Sequence, residues 1–140
     1  MTDVSWNLFD SDKIAASATN GSVVVFNLNM KGSKQSKQEW DNGELTRAVN
    51  CIGWSPFDRY QLFSAHQDGH VKLWDTRQKA PCLKILNGPN DSCRDAQFDP
   101  FHQNILASIY ENGTLMIWDR RNSDHPIYRF SAHSDGGLVV

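Results

Sequence analysis

A pattern of eleven residues that occurs twice constrains the fold of this chain more than any other feature of its sequence. QDGHVKLWDTR, at residues 67–77, returns 44 positions later as ENGTLMIWDRR, at residues 111–121. Both copies contain an Asx-Gly pair, a run of alternating character and a Trp-Asp-x-Arg ending. Self-similarity at such a distance indicates repeated supersecondary units that bury their apolar faces against one another.

The repeat continues outside these two segments. A shift of 44 positions places Ser108 on Ser64, and a backward shift of 48 places Trp6 on Trp54, which reveals an earlier, degenerate copy. The sequence therefore predicts one domain over residues 1–140, with units at 2–43, 44–88 and 89–133 and the start of a further unit at 134–140.

Each unit is predicted to form β-strands joined by tight turns. Strands are expected at 3–7, 14–18, 23–28, 49–55, 61–65, 70–75, 82–86, 93–99, 105–109, 114–119 and 127–131. Asn20-Gly21, Asp68-Gly69 and Asn112-Gly113 each lie between two apolar runs. This placement predicts hairpins with type I′ turns, which require positive φ at both central residues.

The third strand of each unit is apolar on both faces. In the second unit Val71 and Leu73 point one way and Trp74 the other, so the sheet must be covered on both sides, as in stacked sheets. Lys72 breaks this pattern and is expected to extend its ammonium group outward to solvent.

The polar stretch 29–44, NMKGSKQSKQEWDNGE, is predicted to be an exposed loop between the first two units. Its lysines, Lys31, Lys34 and Lys37, are too diluted to predict a strong basic patch.

These repeats resemble the WD-repeat β-propeller family over nearly the whole chain. The resemblance implies an all-β fold of about three four-stranded antiparallel blades. Closed propellers have about four to eight blades, so an incomplete ring is expected.

The resemblance also implies a buried polar tetrad that ties each blade together. Its members would be Ser64, Asp68 and Trp74 in the second unit, and Ser108, Asn112 and Trp118 in the third. The fourth member, a loop histidine, is replaced by Leu45 and Pro89, while His133 is the one well-placed loop histidine. Weaker ties between strands and more reliance on apolar stacking are therefore expected.

Composition argues against several function classes. With 14 basic and 16 acidic side chains, the net charge of −2 gives no reason to expect nucleic acid as a partner. The sequence contains no apolar run of membrane-spanning length and no signal peptide, so no membrane insertion and an intracellular location are expected.

No catalytic constellation is evident. His66 and His70 flank a turn and do not share a helix, and the three cysteines lack metal-ligand spacing. Phosphate-binding loops and nucleophile elbows are absent from the sequence. We therefore expect no catalysis, no cofactor, no metal and no small-molecule substrate.

The first functional hypothesis is a non-catalytic scaffold that binds other protein subunits of a multiprotein complex. Runs such as RAVNCIGWSP and ASIYENGTLMIWDRR are similar to a subfamily of GATOR-complex subunits. That resemblance implies a role in relaying amino-acid sufficiency to the TOR kinase complex at the lysosomal surface. Family practice points to Asn50, Gln67, Arg94 and Glu111 as partner-binding residues.

The alternative hypothesis is a substrate receptor of a cullin-type ubiquitin ligase. The Trp-Asp-x-Arg endings resemble the box through which some propellers dock to the ligase adaptor, and Arg77 and Arg121 would make that contact. A local ion pair of each arginine with Asp75 or Asp119 is the competing explanation.

Overall fold

The structure, a computed structural model, describes residues 1–30, 37–78, 82–122 and 124–131. Lys31, Lys34, His133 and the predicted further unit at 134–140 lie outside these residues. The strands of the described residues are β1 (Asp3–Trp6), β2 (Lys13–Ser17), β3 (Val23–Asn27), β4 (Gln38–Asp41), β5 (Val49–Trp54), β6 (Gln61–His66), β7 (His70–Asp75), β8 (Lys84–Asn87), β9 (Cys93–Phe98), β10 (Ile105–Tyr110), β11 (Thr114–Asp119) and β12 (Tyr128–Ser131).

The strands form three four-stranded antiparallel sheets, each built from consecutive strands. Sheet I contains β1–β4, sheet II contains β5–β8 and sheet III contains β9–β12. The predicted all-β class with four-stranded antiparallel units is thereby confirmed.

The turn type predicted between the second and third strands is wrong. Gly21, Gly69 and Gly113 have φ of 87°, 93° and 86°, but none of the described residues other than glycine has positive φ. The Gly69 N–H donates to the His66 carbonyl at 3.1 Å, as in a type I turn that ends on a left-handed glycine. The glycine alone therefore supplies the positive φ.

The stretch predicted as an exposed loop contains a strand, β4. Trp40 in this strand is only 4% exposed and donates its indole N–H to the Gln78 carbonyl at 2.7 Å. The prediction failed because a single buried aromatic residue among polar neighbours anchors this outer strand, and no apolar alternation marks it.

Sheet II lies between the other two sheets and has an apolar cluster on each face. Leu62 and Trp74 pack with residues of sheet I, whereas Phe63, Val71 and Leu73 pack with residues of sheet III. Trp118 of sheet III likewise faces sheet II, so the two Trp-Asp endings occupy equivalent environments.

Lys72 does not extend to solvent as predicted. Its side chain is buried, and its ammonium group donates to Glu44 at 2.7 Å. Glu44, which lies between β4 and β5, supplies a countercharge that the strand pattern of β7 does not reveal. A buried cation is tolerated here because it is paired.

The first strands of the three sheets are neighbours. β5 contacts β1 on one side and β9 on the other. The Ile52 N–H donates to the Asp3 carboxylate at 3.0 Å, and the Trp54 indole N–H donates to the Ser5 carbonyl at 3.0 Å. These side-by-side strands bring the loops at each of their ends together.

Candidate protein-interaction surface

The loops at the start of β5 and β9 and at the end of β6 and β10 surround one shallow depression of about 430 Å³. The four residues predicted to bind partners, Asn50, Gln67, Arg94 and Glu111, all line it. We call it the polar depression. The structure therefore brings together side chains that are up to 61 positions apart in the sequence.

Asn50 connects two sheets. Its side-chain amide donates to the Ser92 hydroxyl at 3.0 Å and to the Cys93 carbonyl at 2.8 Å. Because these acceptors belong to the entry of sheet III, Asn50 holds sheets II and III in register at the floor of the polar depression.

Arg94 and Glu111 form an exposed ion pair in the same depression. The guanidinium and carboxylate groups are 3.3 Å apart, and the two side chains are 63% and 58% exposed. A pair this open to solvent adds little to stability. Each of the two groups can therefore leave this ion pair and bind a charged group of a partner at little cost in stability.

Gln67 is fixed in place through its backbone N–H, and its side chain is exposed. Its N–H donates to the Ala48 carbonyl at 2.9 Å, and the residue as a whole is exposed. The amide side chain can thus present both a donor and an acceptor at the rim of the depression.

Thr2 and Ser92 also line the polar depression, although neither was predicted to bind partners. The repeat register contains the signal for the first of them. The backward shift of 48 that aligns the tryptophans places Thr2 on Asn50, and the shift of 44 places Arg94 there.

A buried hydrogen-bonded chain ties sheet II below the depression. The Trp74 indole N–H donates to the Ser64 hydroxyl at 2.8 Å, and Ser64 is 2.8 Å from Nε2 of His66. Nδ1 of His66 is 3.4 Å from the Arg47 carbonyl, which can only accept, so Nδ1 carries the proton and Ser64 donates to Nε2. Burial lowers the pKa of His66, which favours this neutral ring.

Sheet III contains an equivalent hydrogen-bonded chain, which continues from its serine to a tyrosine and not to a histidine. The Trp118 indole donates to Ser108 at 2.9 Å, and Ser108 donates to the Tyr110 hydroxyl at 3.3 Å. Tyr110 in turn donates to the Gly69 carbonyl of the neighbouring sheet at 3.3 Å. Burial raises the pKa of Tyr110, so it remains a donor.

The structure places Asp68 and Asn112 in the turns, apart from these chains. Asp68 accepts the His70 N–H at 3.1 Å, and Asn112 accepts the Thr114 N–H at 2.9 Å. His66 and Tyr110, which complete the chains, were not predicted. They share one repeat position, 44 residues apart, but have different side chains.

Arg77 and Arg121 each pair with the aspartate two positions earlier. Arg77 Nε is 2.9 Å from Asp75, and Arg121 Nε is 2.9 Å from Asp119. Hydrogen bonds from Arg121 lower the pKa of Asp119 to about 2. The Arg77 guanidinium also lies 4.6 Å from the centroid of the Tyr60 ring. These local partners occupy the groups that would contact a ligase adaptor.

Within the described parts of the chain, no cluster of three or more His, Cys, Asp or Glu residues could hold a metal ion. Burial raises the pKa of all three thiols, that of Cys93 to about 12, so the cysteines are protonated at neutral pH. Of the residues with described structure, none belongs to a helix that is long and apolar enough to cross a membrane.

Comparison with known proteins gives relatives along most of the chain. GATOR2 complex protein WDR24 of Xenopus laevis and of Homo sapiens are each 36% identical over 132 residues, which is 94% of this chain and 16% of the relative. E3 ubiquitin-protein ligase COP1 of Arabidopsis thaliana is 28% identical over 130 residues, which is 93% of this chain and 18% of that protein. The chain thus spans only a small part of the length of these relatives.

A family model, the WD domain with its G-beta repeat (WD40), matches residues 38–75 and 80–119. The first match ends on the Trp-Asp of β7 and the second on the Trp-Asp of β11. Because the matched segments cover more than half of the 140 residues, and because the sheets have the expected four antiparallel strands, the chain belongs to the WD40-repeat family.

Proposed function

We propose that this protein is a non-catalytic scaffold that binds other protein subunits through the polar depression. The observation that carries the proposal is the convergence of Asn50, Gln67, Arg94 and Glu111 on one surface. We also propose that residues 2–43, 44–88 and 89–133 act as three consecutive blades of a single domain.

The architecture supports this role. Arg94 and Glu111 lie at the ends of paired strands, β9 and β10, whose other faces are buried against sheet II. Side chains on such a rigid base lose little backbone entropy when a partner binds. Their weak mutual ion pair means that little stability is lost when they contact the partner.

We further propose that the complex is of the GATOR2 type and regulates TOR kinase signalling in response to amino acids. The support is the 36% identity to proteins named GATOR2 complex protein WDR24, over 94% of this chain. In this proposal the protein is cytoplasmic and reaches the lysosomal surface through its complex.

The test is copurification of partners with the full-length protein carrying Arg94→Ala and Glu111→Ala. We expect the partners to be lost while the melting temperature stays unchanged, because the pair is exposed. Arg129→Ala, which replaces an exposed arginine that does not line the polar depression, is the matched control and should retain the partners.

A charge exchange sharpens the test. Arg94→Glu with Glu111→Arg keeps the pair but inverts the charges that a partner meets. Continued loss of partners indicates direct contact, whereas full copurification with both the alanine and the exchanged variants contradicts the proposal.

A ubiquitin-ligase receptor is the second candidate, supported by the 28% identity to a protein named E3 ubiquitin-protein ligase COP1. Its docking groups would be Arg77 and Arg121, which are 57% and 70% exposed despite their ion pairs. Equal recovery of a cullin adaptor by the wild type and by the Arg77→Ala/Arg121→Ala variant would exclude this function.

A further inference from the structure

Sheets I and III each have one face that no other sheet of the described residues covers. The outer face of sheet I contains Val4, Trp6, Ile14, Val24 and Phe26, and the outer face of sheet III contains Ile109, Leu115, Ile117, Tyr128 and Phe130. The members of each face are cross-strand partners or alternate residues of one strand, so they lie on the same side of their sheet. Trp6, Tyr128 and Phe130 are 52%, 59% and 53% exposed. Exposed apolar surface of this kind marks an interaction site.

Sheet II shows the positions of the outer face of sheet I in a covered state. Trp54 and Trp74 lie 48 positions after Trp6 and Phe26 and belong to the apolar cluster between sheets I and II. They are 5% and 1% exposed, whereas Trp6 is 52% exposed and Phe26 is half-buried. The outer face of sheet I therefore has the aromatic side chains of a covered face, although it is open in the described residues.

The outer face of sheet III shows the same contrast. Leu115 and Ile117 lie 44 positions after Val71 and Leu73, which pack between sheets II and III and are 0% and 1% exposed. Leu115 and Ile117 are themselves only half-buried. The outer face of sheet I thus matches the side of sheet II that meets sheet I, and the outer face of sheet III matches the side of sheet II that meets sheet III. The two outer faces are therefore counterparts of each other.

A residue of the fourth strand reaches across each boundary between neighbouring sheets. The Trp40 indole N–H donates to the Gln78 carbonyl at 2.7 Å, and the Lys84 ammonium group donates to the Arg121 carbonyl at 2.9 Å. Both carbonyls lie just after the third strand of the next sheet. Tyr128 has the same place in sheet III, since all three residues pair with one repeat position of the third strand. Its phenol therefore lies where a donor crosses to a further sheet.

Sheet I has the groups that complete such a boundary. Asn29 follows β3 just as the acceptor carbonyls of the other boundaries follow β7 and β11. In addition, the Trp54 indole N–H donates to the Ser5 carbonyl at 3.0 Å across the boundary between sheets I and II. Trp6 is the equivalent donor on the outer face of sheet I, and Gln97 has the position of Ser5 in sheet III.

We propose that a second copy of this chain covers both outer faces, with sheet I of each copy packed on sheet III of the other. The Tyr128 hydroxyl of one copy then donates to the Asn29 carbonyl of the other, and the Trp6 indole donates to the Gln97 carbonyl. Two copies close a ring of six sheets, which is within the range of about four to eight for closed propellers. This contact does not require the polar depression.

The size of the contact suits a stable dimer. A face of four strands with about five residues each measures roughly 19 Å by 17 Å, so the four outer faces in the ring bury about 1,300 Å². Stable interfaces bury about 1,200–2,000 Å². The contact forms twice in a closed ring, and the second contact is favoured because the first has already joined the two copies.

The test is sedimentation velocity of the full-length protein, in which we expect a species of twice the mass of one chain. Trp6→Glu and Ile117→Glu each place a charge in a covered apolar face and should weaken dimerisation about a hundredfold or more. Tyr128→Phe removes one hydroxyl and should weaken it about fivefold. Phe101→Glu is the matched control, since Phe101 is 84% exposed and belongs to neither outer face.

A mixture of the two glutamate variants tests the head-to-tail arrangement. The Trp6→Glu variant keeps an intact outer face on sheet III, and the Ile117→Glu variant keeps one on sheet I. Mixed together they should form one-to-one pairs, although neither variant associates alone. This recovery also shows that both variants are folded. Absence of pairs in the mixture overturns the proposal.

Other occupants give different results. A monomeric wild type whose outer faces are protected from hydrogen exchange would assign the cover to another part of its own chain and would overturn the proposal. Association that Trp6→Glu abolishes and Ile117→Glu leaves unchanged would indicate contact between like faces, and assemblies larger than a dimer would exclude the closed ring; each overturns the proposal. The Arg94→Ala/Glu111→Ala variant should remain dimeric, so failure of the proposed function and failure of this inference are distinguishable.

Discussion

Replacement of Ser64 by alanine should destabilise the protein more than the same replacement of Ser108. Both serines are buried in the second strand of their sheets, and both accept an indole N–H at 2.8–2.9 Å. Loss of the Ser64 hydroxyl leaves two buried groups without partners, the Trp74 N–H and Nε2 of His66. Each unsatisfied group costs about 1–3 kcal/mol, so Ser64→Ala should cost about 2–6 kcal/mol.

Ser108→Ala should cost less because the chain in sheet III ends differently. The Trp118 N–H loses its acceptor, but the Tyr110 hydroxyl still donates to the Gly69 carbonyl. One orphaned donor costs about 1–3 kcal/mol. The hole left by either hydroxyl is too small to hold a water that could replace the lost bonds.

Urea unfolding at neutral pH, with linear extrapolation to water, measures both free energies. Ser64→Ala should cost less in a Trp74→Phe background than in the wild type, since phenylalanine has no N–H to leave unsatisfied. A loss for Ser64→Ala equal to or smaller than that for Ser108→Ala would refute the hydrogen-bonded chain as the tie within sheet II.

Three further predictions concern the same scaffold. Burial lowers the pKa of His66 from its ordinary 6.5, so the unfolded chain binds a proton at this residue more tightly than the folded chain does. The free energy of unfolding should therefore fall as pH decreases below 6.5. Urea titrations repeated across pH should show a flatter dependence for His66→Gln. Gly69→Ala and Gly43→Ala both place alanine at positive φ, which costs about 1–2 kcal/mol. Gly69→Ala should lower the melting temperature more than Gly43→Ala does. The Cβ at residue 69 would lie 2.2 Å from a backbone carbonyl oxygen, whereas the Cβ at residue 43 meets no atom closer than 3.9 Å. Glu44→Gln leaves the buried ammonium of Lys72 without a countercharge and should lower the free energy of unfolding in urea by about 1–3 kcal/mol. Lys72→Met should cost less, because the Glu44 carboxylate that it leaves unpaired is reached by water.

The third strands and the positions of their turns are predictable from sequence because their signals are local. The predicted spans 70–75 and 114–119 match β7 and β11 at both ends. In these segments the Asx-Gly pair fixes where the hairpin turns, and apolar residues on both faces mark a strand that is covered on both sides. Periodicity and turn chemistry agree there, so little is left for tertiary contacts to decide.

Elements held by distant partners could not be predicted in this way. Trp40 in β4 is anchored by a carbonyl 38 positions away, and Lys72 by a carboxylate 28 positions away. Their own neighbours in sequence carry no sign of these contacts. The repeat implied that the four predicted partner-binding residues lie close together, namely Asn50, Gln67, Arg94 and Glu111. It did not imply the hydrogen bonds from Asn50 to sheet III at the floor of the polar depression, which depend on side-chain geometry.

His66 and Tyr110 show how one repeat position can satisfy the same requirement with different chemistry. Both residues continue a Trp-Ser chain, yet the imidazole ends on the Arg47 carbonyl, which precedes its own sheet, while the longer phenol reaches Gly69 in the neighbouring sheet. The phenol fits because Gly88 has no side chain; a Cβ there would lie 2.0 Å from the Tyr110 oxygen. The hydrogen-bonded chain of sheet III therefore also joins sheet III to sheet II. A substitution that shortens Tyr110 should consequently loosen the boundary between sheets II and III, whereas the equivalent change at His66 acts within sheet II and the loop before it.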